Sequence, residues 1–332
     1  MNAILAPVRQ GTPEWLAFRR AGIGASDAPV IAGERGSLVA LWAEKAGLVE
    51  PEPPDPALQK LFDRGHRLEP VVAAWYSDET GRPLRHVSHP RRHPEVPWAF
   101  ASLDRVSARR GERRIVEIKT SHLARWGETP EGVPADVYPQ VQHQLWVMGW
   151  DVADVVALTG GLELRVVEVP RDDAYIADLV ELETAFWRQV EAKERPAVDG
   201  SEQTRRVLSR LWPREDGDLI TAPSTEFDAL AWRLRDAKAE AKAAADTEAT
   251  IENAIRALLG ESPGVLGDGY KVTWLRNRDS VRTDWRAVAD ALRDLVDPDT
   301  FARVLAEHTN TTEGARVLRA TFKEQMERSW AA

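Results

Sequence analysis

Cysteine is missing from the 332-residue chain, which excludes disulfides, thiolate-bound zinc and cysteine-ligated iron–sulfur clusters. Long apolar runs are missing too, since nothing approaches the roughly 20 apolar residues of a membrane span. The longest uncharged window, 137–150, carries Gln and His and reads as a helix in water. The start, Met1-Asn2-Ala3-Ile4-Leu5-Ala6-Pro7, has no basic flank and no full apolar core. No secretory signal is therefore expected, and a cytoplasmic protein is the plain expectation. Histidine is sparse, and none of the seven has metal-ligand spacing. His66 and His143 are expected behind the site or at the surface. Tryptophan, by contrast, is plentiful at thirteen, and most are expected in core or interface positions.

The net charge of −9 is unevenly spread. Residues 1–125 hold 19 Lys/Arg against 15 Asp/Glu, whereas 126–332 hold 25 against 38. A locally basic groove is thus compatible with an acidic chain, and Arg85, Arg91, Arg92, Arg109, Arg110, Arg113 and Arg114 are its candidates. Soluble arginine-rich turns explain Arg109 to Arg114 equally well.

Local signals divide the chain. Thr12 followed by Pro13 predicts a short helix to residue 20, and the small-residue turn 22–27 predicts another opening at Ser26. A proline-rich link at 51–56 precedes a longer helix over 57–79, closed by Gly81. Strands are expected at 85–88, 98–106 and 114–121, then a helix over 136–149. Strands at 153–159 and 162–169 hinge on Gly160-Gly161, and a helix over 172–195 ends before Pro196. The fold class is α/β, a sheet flanked by helices, with a mainly helical C-terminal accessory region from 197 to 332. Within that region 225–259 lacks Gly and Pro and reads as one long helix or a helical hairpin. A small α+β end is expected after it: a strand at 270–276, a helix from Asp284 and an apolar stretch at 316–322.

The chemistry concentrates in Val116-Glu117-Ile118-Lys119-Thr120. On a strand, Glu117 and Lys119 share one face while Val116 and Ile118 share the other. Glutamate is disfavoured in the middle of an apolar strand. Asp104, alone, is a turn-starting residue of the kind common at strand ends. Together, two carboxylates and an ammonium can hold a hard cation and steer a water. Glu69 falls inside the apolar stripe of its helix, formed by Leu58, Leu61, Phe62, Leu68, Val72 and Trp75. A carboxylate there needs a cation, either an arginine or a metal. Gln140, at a helix start after Pro139, is placed to reach into such a site. Gln142 and Gln144 are expected on an ordinary polar helix face.

Read in order, these blocks resemble a known family. They are Phe18-Arg19-Arg20, Ile23-Gly24-Ala25-Ser26-Asp27, Arg64-Gly65 with Glu69, and Ala101-Ser102-Leu103-Asp104. Glu117-Ile118-Lys119 and Tyr138-Pro139-Gln140-Val141-Gln142-His143-Gln144-Leu145 complete the set. Over about 8–195 the chain is similar to the YqaJ-type viral recombinase nucleases, relatives of lambda exonuclease in the PD-(D/E)xK superfamily. The resemblance implies a PD-(D/E)xK core with a central mixed sheet, assigned to residues 1–196. It implies that Asp104, Glu117 and the carbonyl of Ile118 bind one Mg²⁺ or Mn²⁺, and that Glu69 helps hold a second. Lys119, assisted by Gln140, would orient or deprotonate the attacking water. Arg19, Ser26 and Ser102 would grip a 5′ phosphate, for which a guanidinium and hydroxyls are suited. The implied activity is digestion of double-stranded DNA from 5′ ends, leaving a 3′ strand for a single-strand annealing protein, by a homotrimer that needs no membrane. A PD-(D/E)xK endonuclease and a non-catalytic DNA-binding scaffold are the competing readings. A Cas4-like nuclease would need a cysteine cluster, which the chain lacks.

Overall fold

Thr12 caps the first helix through its side chain, and Pro13 sits at the first position, where no amide proton is needed. The structure is a computed structural model. It describes residues 3–4, 12–52, 55–109, 111–120, 126, 132–159, 163–221, 224–280, 282–293, 295–309 and 318–319. The elements run β1 (Ala3–Ile4), α1 (Pro13–Arg20), β2 (Ile23–Gly24), α2 (Ala28–Ile31), α3 (Leu38–Lys45) and α4 (Pro56–Thr80). There follow β3 (Leu84–His86), β4 (Arg91–Arg92), β5 (Ala99–Ala101), β6 (Arg105–Arg109) and β7 (Glu112–Thr120). Then come α5 (Tyr138–Met148), β8 (Val152–Thr159), β9 (Glu163–Pro170), α6 (Asp173–Ala192) and α7 (Glu202–Leu211).

A five-stranded mixed sheet in the order β3-β6-β7-β8-β9 forms the centre. Only β7 and β8 run parallel in it, so the chain must cross over between them, and α5 lies in that crossover. Period-two alternation along β7 divides its side chains between two cores. Val116 and Ile118 pack with Val72, Ala73 and Tyr76 of α4. Ile115 packs with Val141 and Leu145 of α5. Glu117 and Lys119, in phase with Ile115, therefore face α5.

The strand expected over 98–106 is two strands in different sheets. β5 belongs to a smaller sheet of order β1-β4-β5-β2, while β6 joins the central sheet. Residues 102–104 make the change of sheet, which leaves Asp104 at the crossing. β2 and β5 approach closely because Gly22 and Gly24 carry no Cβ: one would strike the Trp98 carbonyl and the other the Phe100 ring. The helix expected at Ser26 begins two residues later, with Asp27 at its cap position. The Gly160-Gly161 hinge and most of 316–322 lie outside the described residues.

Contacts divide the chain into Met1–Pro213 and Arg214–Ala332. α7, placed in the accessory region by sequence, joins the first unit because Val207 packs into the α3–α6 core. Its buried Thr204 hydroxyl also meets Ser37 at 2.6 Å. The second unit holds α8 (Thr225–Leu259), β10 (Gly264–Gly267), β11 (Tyr270–Thr273), α9 (Trp285–Arg293) and α10 (Pro298–His308). α8 is one helix rather than a hairpin, and β10 and β11 pair antiparallel. No described helix is long and apolar enough to cross a membrane.

Candidate active site

Glu117 is 3% exposed, which a carboxylate tolerates only when its oxygens are satisfied. Lys119 Nζ lies 2.7 Å from Oε1, and Gln140 Nε2 donates to the same oxygen at 2.6 Å. Gln144 Nε2 donates to Oε2 at 2.8 Å. Lys119 also donates to Gln140 Oε1 at 3.0 Å, closing a ring of three side chains. The strand supplies Glu117 and Lys119 on one face, and α5 supplies the two glutamines from above. The amine expected beside the carboxylate is there.

Asp104 stands across from Glu117 on the wall of a cavity of about 500 Å³. Its Oδ2 accepts from the amide of Ile118 at 2.9 Å, which pins the sheet crossing to β7. Burial, with the nearby carboxylates of Glu117 and Glu69, pushes the Asp104 carboxyl up to about 8 despite that bond and Lys119. Asp104 and Glu117 bring carboxylate oxygens to one cavity, the kind of donor that hard divalent cations prefer. The residues present thus fit such an ion.

Glu69 departs from that arrangement. Arg105 donates to its Oε1 at 2.5 Å, so this carboxylate already has an arginine partner. Among the described residues no three of His, Asp and Glu stand together as a ready-made metal cluster. The apolar stripe around Glu69 is also less buried than its periodicity suggests. Leu58, Leu61, Phe62 and Leu68 are exposed, Leu61 at 52%, and only the second half of α4 enters the core. The first half borders open cavities, so its helical period is satisfied without a covering layer.

Arg19, Ser26 and Ser102 line the same cavity as Asp104, Glu117, Glu69 and Gln140. Arg19 is fixed by Asp27, whose Oδ1 accepts from its guanidinium at 3.1 Å. Asp27 Oδ2 accepts from the Gly24 amide at 2.9 Å and from Lys45 Nζ at 2.5 Å. Lys45, buried, spends its other protons on the carbonyls of Arg19 and Gly22, at 2.7 and 2.8 Å. Burial would raise Asp27, but Lys45 and Arg19 more than offset it and hold the carboxyl below its ordinary value.

Sequence reasoning missed Gln144 and underplayed His143. Gln144 contacts Glu117 and also the Ser102 carbonyl at 3.3 Å, whereas Gln142 ties the Pro170 carbonyl and the Asp172 amide. The signal for Gln144 was its i, i+4 relation to Gln140. His143 is fully buried between Glu183 at 2.7 Å and the Phe100 carbonyl at 3.0 Å. Burial opposes its protonation, but Glu183 and the Phe100 carbonyl outweigh this and raise its pKa. Of the arginine-groove candidates, Arg114 is instead a core residue, bound to Asp154 at 2.5 Å and Glu168 at 2.7 Å. Arg110 lies outside the described residues.

Residues 14–151, which hold every one of these cavity-lining groups, match the model of the YqaJ-like viral recombinase domain. The uncharacterized protein YqaJ of Bacillus subtilis (strain 168) is 29% identical over 306 residues, covering 89% of this chain and 91% of that protein. That likeness extends beyond residues 14–151 into the second unit. Among solved structures, an alkaline exonuclease (LHK-Exo) from Laribacter hongkongensis is 25% identical, with a TM-score of 0.45. It covers 60% of this chain and 100% of that one. A phage-related exonuclease from Haemophilus somnus 129PT is 14% identical, with a TM-score of 0.41, covering 52% and 94%.

Proposed function

We propose that this protein is a divalent-metal-dependent deoxyribonuclease that digests duplex DNA from its 5′ ends and leaves a 3′ single strand. The observation that carries this reading is Glu117, held by Lys119, Gln140 and Gln144 and facing Asp104 across one cavity. The YqaJ-like viral recombinase domain supports it from the side of the family. Asp104 and Glu117, with the Ile118 carbonyl, would hold Mg²⁺ or Mn²⁺. Glu69 would serve a second ion only on leaving Arg105. The bound metal supplies Lewis-acid polarisation of the phosphate and activation of water.

The chain's own groups do the rest. Gln140 and Gln144 keep Glu117 from rotating, so its oxygens stay aimed at the cavity. Lys119, fixed by two acceptors, presents its amine to the attacking water and to the charge that develops on phosphorus oxygens. Arg19, Ser26 and Ser102 would receive the terminal 5′ phosphate, with Asp27 and Lys45 keeping Arg19 in place. Contacts of this kind go to phosphates and read no base sequence. A single-strand annealing protein would take up the product in recombination, and a homotrimer would enclose the duplex.

The test is a strand-labelled linear duplex beside a closed circular plasmid, both with Mg²⁺. The proposal expects loss of the 5′-ended strands, faster from a 5′-phosphate than a 5′-hydroxyl, and an intact circle. Cleavage of the circle would make the protein an endonuclease. Binding of DNA without hydrolysis would make it a scaffold.

A further inference from the structure

Helix α8 runs for 35 residues without interruption, and only Leu259 of it is buried. Its large apolar residues, Trp232 and Leu259 apart, do not scatter. Phe227, Leu230, Leu234, Ile251, Ile255 and Leu258 fall on alternating steps of three and four residues, extended through Ala237, Ala241 and Ala244. Writing Phe227 as position a and Leu230 as d, one polar residue interrupts the ten core positions, Glu248 at an a position. Such a 3.5-residue repeat sustained over more than four heptads is the pattern of a coiled-coil seam. The seam is open to solvent: Phe227 is 55% exposed and Leu258 88%.

We infer that α8 pairs antiparallel with α8 of a second copy of this chain. The order of residues is self-complementary about the helix centre. Antiparallel pairing sets Phe227 against Leu258 of the other copy, Leu230 against Ile255, Leu234 against Ile251, and Ala241 against Ala244. Large residues meet at both ends and alanines in the middle, where the backbones can approach. Charge chooses the direction. A parallel pair would bury Glu248 against its own copy and set Arg233 at g beside Lys238 at e of the partner helix. The antiparallel pair places Glu248 opposite Ala237 and next to Lys238. This surface lies in the second unit and is independent of the nuclease reading; a two-fold pair does not fit inside a three-fold ring, so beside the proposed trimer it would join two rings.

The chain's lack of cysteine makes the test clean. Full-length protein carrying Phe227→Cys, Leu258→Cys or both is oxidised and resolved on a denaturing gel. Antiparallel pairing holds the two ends of one helix roughly 45 Å apart, so each single variant stays uncrosslinked. The double variant, and an equimolar mixture of the two singles, give the covalent dimer. Adding Leu234→Glu to the double variant abolishes that band. The pair Leu230→Cys and Ile255→Cys repeats the measurement one layer inward, should the terminal layer fray. Crosslinking of either single variant alone would mean a parallel pair and overturn the inference, as would no covalent dimer with either double variant.

Discussion

Glu117→Gln keeps the shape of the side chain and its place between two glutamines, but it removes the charge that a cation and Lys119 both need. The variant should fold with an unchanged unfolding transition and lose roughly 10²–10³-fold or more in DNA hydrolysis. Gln144→Leu tests the support behind it. With one anchor of Glu117 gone, affinity for Mn²⁺ should fall by roughly 10–100-fold, read by calorimetry, while Gln142→Leu should leave metal affinity unchanged. Asp104 gives a pH dependence. Its carboxyl binds a proton more tightly in the folded state than in the unfolded chain. Without metal, its contribution to stability is therefore full below the ordinary carboxylate range and is lost as the pH climbs towards about 8. Thermal unfolding of the metal-free protein should lose stability over that window, less steeply in Asp104→Asn. Mg²⁺ should stabilise the wild type more at the upper end. At this scale much was legible in sequence, because a Glu in the middle of a strand and its i+2 lysine obey a fixed alternation. Gln144 was not, since a polar residue on a helix shows its face but not what faces it. The partner of Glu69 was left open for the same reason: Arg105 reaches it from another element.

Elements were readable where local chemistry ends them. Thr12, Gly81, Gly149 and Gly260 cap or close helices close to the expected places. The split of 98–106 between two sheets was hidden: Asp104 signals a turn, but nothing in the sequence shows that the strands on either side of it have different partners. The exposed half of α4 was hidden likewise, since a hydrophobic period reports a face and not its neighbour. Strand β7 also carries a charge network at its other end. Arg114 is buried with Asp154, and the Tyr76 hydroxyl donates to the same carboxylate. Asp154→Ala leaves a buried guanidinium short of its most enclosed partner, and should cost about 3–5 kcal/mol in a denaturant titration. Activity per folded molecule should change little, because the network lies away from the cavity.

At the scale of the molecule the charge divides as the proposed function requires. The first 125 residues are net basic within a chain of net charge −9. Binding of duplex DNA should therefore weaken steeply with salt, as counterion release predicts. The central claim, that Asp104, Glu117 and Lys119 form a metal-dependent hydrolytic centre, meets its most direct test in one assay. Linear duplex DNA is incubated with wild type and with Glu117→Gln, in Mg²⁺ and in Mg²⁺ with excess chelator. Wild type in Mg²⁺ alone should degrade the DNA, whereas the variant should leave it bound but intact. Equal degradation by the variant, or none by the wild type, would contradict it.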